Sequence, residues 1–102
     1  MKIPNFIEII GHTVHVVVMD TIIEDNKELV GLAIFDADKI LIGRTVNGIP
    51  VSTDIQGETF LHETVHHINE AFNLGLTERQ VRGVSRGLYA VQKNNKLKFY
   101  ED

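Results

Sequence analysis

The stretch Phe60-Leu61-His62-Glu63-Thr64-Val65-His66-His67-Ile68 sets the tightest limits on what this chain can fold into. Leu61, Val65, Ile68 and Phe72 recur at i, i+4, i+7 and i+11, the spacing of one apolar stripe on an α-helix. His62 and His66 are four residues apart, so the same helix stacks them one above the other beside that stripe. The helix must then lie against a core along one side and carry two imidazoles at the rim. Imidazoles so placed reach a single zinc ion, with nitrogens at about 2.0–2.1 Å. Glu63 follows the first histidine, so its carboxylate lies beside such a metal and acts on a bound water rather than ligating.

The rest of the composition narrows the alternatives. At 102 residues the chain is one domain, residues 1–102. A net charge of −4 and no basic run longer than two residues argue against a nucleic-acid or membrane-surface partner. There are no cysteines, so disulfides and thiolate metal sites are excluded and any ligands are His, Asp or Glu. Glu8 interrupts the first apolar run and no small-residue cleavage site follows, which argues against a signal peptide. No 18-residue apolar stretch exists, so no membrane span is expected and the cytoplasm is the default location.

Along residues 1–50 the pattern is that of strands. Residues 6–10 open a first strand, and 13–19 is a β-branched run. Residues 29–35 and 39–46 flank the turn Asp36-Ala37-Asp38-Lys39 and form a hairpin. His12 and His15, three apart on a strand, face opposite sides and cannot share a site. Asp36 and Asp38 lack the glycine and closing glutamate of a calcium loop and read as turn residues. Residues 20–28 are charged and aperiodic, a loop or frayed strand pair, and Asn47-Gly48 suits a tight turn.

Residues 53–95 read as two helices. The first spans 53–73, capped by Ser52 or by Thr53 with Gln56, and Gly75 is its natural left-handed terminator. Thr77-Glu78-Arg79-Gln80 is a capping box for the second, whose stripe is Val81, Val84, Leu88 and Val91. Gly83 and Gly87 would let that helix approach a neighbour closely, and the short link makes the helices antiparallel. Lys96-Leu97-Lys98-Phe99-Tyr100 reads as a short final strand or a tail. The expected fold is α+β: a small antiparallel sheet of about three strands followed by two antiparallel helices.

A catalytic zinc takes three protein ligands and keeps one open position. Candidates for the third are Glu70, Glu78 and, pointing less well, His67. Glu70 shares the His66 face but lies about 6 Å further along the axis. Glu78 precedes Val81 by three residues, on the side that packs against the first helix, and is favoured. Tyr89, Arg82 and His67 are the available types for stabilising an oxyanion.

The segment Thr59-Phe60-Leu61-His62-Glu63-x-x-His66-x-Ile68, with Gly75-Leu76-Thr77-Glu78-x-x-Val81 and Gly87-Leu88-Tyr89 after it, resembles small phage- and prophage-encoded zinc metallopeptidases. These are similar to minimal gluzincins, which carry His-Glu-x-x-His and a glutamate on a following helix. The resemblance covers residues 59–95. It implies a zincin-like core, His62, His66 and Glu78 as ligands of one zinc ion, and Glu63 as general base. It implies a peptide or protein substrate and the cytoplasm of a bacterial or phage-infected cell. The longer gluzincin pattern, Asn-Glu on the second helix, is not reproduced. A non-catalytic zinc-binding or interaction module on the same scaffold is the competing expectation.

Overall fold

A computed structural model describes residues 2–96. In chain order these form β1 (Phe6–Ile9), β2 (His12–Met19), β3 (Ile22–Glu24), β4 (Lys27–Leu29) and β5 (Gly31–Ile34). Then come β6 (Lys39–Gly43), β7 (Thr45–Val46), β8 (Ile49–Pro50), α1 (Thr53–Phe72) and α2 (Glu78–Asn94). The class is α+β, as expected. The proposed strand or tail at the C-terminus falls on residues 97–100, outside the described residues.

The main sheet has four strands in the order β1-β2-β6-β5. Its two outer pairs are antiparallel hairpins, but β2 and β6 at the centre run parallel, with Val16 opposite Ile40 and Val18 opposite Ile42. Hairpin reasoning gives only antiparallel neighbours. A parallel pair needs a connection of a dozen or more residues, and residues 20–38 supply it, carrying the β3–β4 hairpin and β5 on the way. The aperiodic 20–28 segment is thus a strand pair, closed at Asp25-Asn26 with φ of 52° and 63°. Asn47-Gly48 makes the same kind of turn between β7 and β8, with φ of 51° and 77°.

One face of the sheet is the core. Val14 and Val16 of β2 and Ile40 and Ile42 of β6 alternate inward and meet Phe60 and Leu61 of α1. The stripe expected on α1 holds at Leu61 and Val65, which are buried, but fails at Phe72, which is 55% exposed. Phe72 is the last helical residue, past the reach of the sheet.

Both helices are capped by side chains. Ser52 accepts from the Ile55 N–H, and the Thr77–Gln80 capping box forms in both directions. The first helix stops at Asn73, which takes the left-handed conformation expected of Gly75; Gly75 follows at φ 70°. Asn69 then holds the link: its amide accepts from the Leu76 N–H at 2.9 Å and donates to the Leu76 carbonyl at 3.4 Å.

α2 runs antiparallel to α1. Its start meets His62 and His66, and its later residues Arg86, Tyr89 and Lys93 meet Glu58 and Asp54 near the start of α1. Its buried face is Val81, Ser85 and Gln92, whereas Val84, Leu88 and Val91 are exposed. The expected apolar stripe is therefore only one-quarter right, because α2 packs through residues that follow Glu78 and Val81 around the helix. Gly83 and Gly87 lie on its open side, with nothing near a Cβ at either position, so they do not serve the α1 contact. Among the described residues no helix is long and apolar enough to cross a membrane.

Candidate metal centre

His62 and His66 project from the middle of α1 toward the first turn of α2. Their rings are 4.9 Å apart between centroids, and both Nε2 atoms turn to one carboxylate. His62 Nε2 is 2.8 Å from one oxygen of Glu78, and His66 Nε2 is 2.9 Å from the other. One donor atom from each of the three residues lies within 4.8 Å of the others. Ligands around a tetrahedral zinc at about 2.0–2.1 Å stand roughly 3.4 Å apart. The donor set and its clustering therefore fit one small divalent cation once the donors move to that spacing. The histidine side chains are 21% and 24% exposed and Glu78 is 54% exposed, so one side of the group is open.

Glu70 does not join this group. It lines a separate hollow with His12, Asp36 and Asp38, on the sheet side of α1. His67 is likewise absent: it is buried, its Nε2 is 2.9 Å from the Lys39 carbonyl, and its ring meets Phe35 edge-on at 5.0 Å. Of the two histidines on the first strands, His12 pairs with Asp38 at the surface.

Ser85 is a contributor the sequence reading missed. It is fully buried, donates its hydroxyl proton to the Arg82 carbonyl at 3.1 Å, and its oxygen lies 3.4 Å from His62 Nδ1. That hydroxyl therefore flanks the Nδ1 side of the ring, opposite the Nε2 that faces Glu78, and backs the imidazole from behind. Burial, the largest cause, holds the His62 pKa below its ordinary value against the opposing pull of Glu78. The neutral imidazole is the form that ligates a metal. The available signal was the spacing: Ser85 stands seven residues after Glu78, two turns on along one face.

Glu63 is 8% exposed. Burial first, and the negative charge of Glu78 second, raise its pKa to about 7. It lies against the edge strand at Gly31, where an added Cβ would meet Thr59 Cγ2 and stand 3.1 Å from Glu63 Oε2. A side chain at 31 would thus force α1 off β5 or turn the carboxylate. Gly31→Ala is expected to cost about 1–3 kcal/mol, a fall in melting temperature on the order of 5–20 °C. Adding Thr59→Ser removes the nearest methyl and should recover part of the loss. An unchanged melting temperature in Gly31→Ala would show that the approach is looser.

Of the three candidate oxyanion donors, two are committed elsewhere. His67 is bonded within the core, and the Tyr89 hydroxyl donates to Asp54 at 2.7 Å. Burial and that bond push Tyr89 up to about 12. Arg82 borders a cleft of about 430 Å³ whose walls include Val30, Gly31, Ile55, His62 and Glu63. Comparisons with protein-family models, curated proteins and solved structures find no match to this chain.

Proposed function

We propose that this protein is a zinc-dependent metallopeptidase, hydrolysing peptide bonds at the cleft beside His62, His66 and Glu78. The observation that carries this reading is the meeting of two imidazole nitrogens and a carboxylate next to a second, buried carboxylate that is not among them. Two histidines and a glutamate are the donor set of a hydrolytic zinc, although iron accepts a similar set. A non-ligating glutamate directly after the first histidine favours hydrolysis. Bound there, zinc supplies Lewis-acid polarisation and lowers the pKa of a water.

The residues of the chain do the remaining work. Ser85 backs the His62 ring on its Nδ1 side and holds its orientation. Glu63, poised near neutrality, takes a proton from the attacking water and hands it to the departing nitrogen. β5 is the outer strand of the sheet and borders the same cleft through Gly31, so an extended peptide can add along it with its backbone over Glu63.

One zinc per chain is the expected stoichiometry. Elemental analysis of dialysed protein should find close to one equivalent, and zinc titration of chelated protein should saturate at the same ratio. A value near zero in both removes the site; iron in place of zinc redirects the chemistry. One zinc without hydrolysis of any unstructured polypeptide favours a non-catalytic binding module on this scaffold.

A further inference from the structure

We propose that the cleft selects peptides carrying a carboxylate, and that Arg82 is the residue that holds it. This rests on the peptidase reading for the identity of the ligand as a peptide, and on separate observations for the charge. The antiparallel helices form a ladder. Glu58 meets Arg86 at 3.1 Å at one level, and Glu78 meets His62 and His66 at another. Arg82 is midway between Glu78 and Arg86 on α2, hence beside His62, and it lines the cleft that Glu63 and Gly31 also border. The acidic groups at the levels on either side of it are taken, Glu58 by Arg86 and both oxygens of Glu78 by the histidines, and Glu63, which also lines the cleft, makes no ion pair with it. The Arg82 guanidinium has no ion-pair or hydrogen-bond partner among the described residues.

An exposed arginine without a partner is ordinary on a surface. This one differs in place, standing at the rim of a concave site where its planar fork of donors matches a carboxylate in two parallel hydrogen bonds. Arg79, a turn earlier on α2, also lacks a partner among the described residues but does not line the cleft, which makes it the natural control. The carboxylate has two sources: an acidic side chain within the peptide, or a free C-terminus.

Three N-acetylated alanine peptides separate these cases: two amidated at the C-terminus, one with an internal Glu and one with Gln in its place, and a third with no acidic side chain and a free C-terminal carboxylate. Their binding is followed by amide chemical shifts in chelated protein and again in zinc-loaded Glu63→Gln protein. At least one carboxylate peptide should bind about tenfold more tightly than the Gln peptide. Whichever does so names the source. Arg82→Gln should erase the preference, Arg82→Lys should keep only part of it, and Arg79→Gln should leave it intact. Equal binding of all three peptides overturns the proposal. So does an equal loss across all three in Arg82→Gln, which is the mark of a shape or oxyanion role. Erasure by Arg79→Gln also overturns it, since that indicates general charge attraction. Failure of the wild-type protein to take up zinc defeats the peptidase reading alone, because the chelated-protein arm still measures the preference.

Discussion

Glu78→Ala should weaken zinc binding by well over a hundredfold. The change leaves two imidazoles where three donors converged, and it removes the carboxylate whose two oxygens meet both Nε2 atoms. Loss of an outer partner of a ligand costs about 10–100-fold, so a larger fall separates ligation from support. As a mere first-turn carboxylate, Glu78 would give up roughly 0.3–1 kcal/mol of helix stability and no metal affinity. Glu70→Ala is the paired control and should bind zinc as the wild type does, since Glu70 belongs to the hollow with His12 and Asp38. Competition against a chromophoric chelator reads both variants. Zinc lost in Glu70→Ala and kept in Glu78→Ala would place the third ligand on α1 and overturn the site.

Glu63→Gln should have two large and opposite effects. Zinc-loaded, it should keep its metal and lose hydrolysis, because the amide cannot accept the water's proton. Loss of the metal instead would make Glu63 a ligand or an anchor of the ligands and overturn its role toward the water. Stripped of metal, the same variant should be more stable than wild type above neutral pH. The folded pKa of about 7 lies above the ordinary 4.5, so the folded chain holds this proton more tightly than the unfolded chain does. The contribution is intact below pH 4.5 and drains away as pH rises through about 7. The gap corresponds to about 3 kcal/mol, lost in full above that range. Urea unfolding of chelated protein at pH 4 and pH 8 should show wild type and variant nearly equal at the first and separated at the second. A constant difference would mean that burial of Glu63 is not what shifts its proton.

The parts of this structure that were legible in the sequence are those set by neighbours along the chain. The His62–His66 spacing, the Thr77 capping box and the Asn47-Gly48 turn each depend on a few adjacent residues, and each stands where expected. Glu78 could be favoured over Glu70 because three residues before Val81 means one helix face, and Val81 is fully buried. What local pattern could not give was which strands lie side by side. The parallel β2–β6 pair depends on contacts across residues 20–38, and periodicity is blind to that. The same limit hid the inward face of α2. Its valines and leucine fit a helical stripe well, yet Ser85 and Gln92 took the buried positions because α2 is turned to present Glu78 to α1. Gly31 carried a readable sign, a lone glycine inside a strand pattern, which often marks a close approach of another element.

The Asn69 clamp on Leu76 makes chain length itself part of the site. Leu76 directly precedes Thr77 and Glu78, so the bonds that fix its backbone also fix how far α2 begins from His66. One added residue between Asn73 and Thr77 would break the clamp or lengthen the link beyond it, and either change shifts the start of α2, and Glu78 with it, from the histidines. The hairpin tips at Asp25-Asn26 and Asn47-Gly48 are exposed and make no contact with the ligand group. Proteins descended from this one that keep the site should therefore vary in length at those two tips and hold twelve positions from His66 to Glu78.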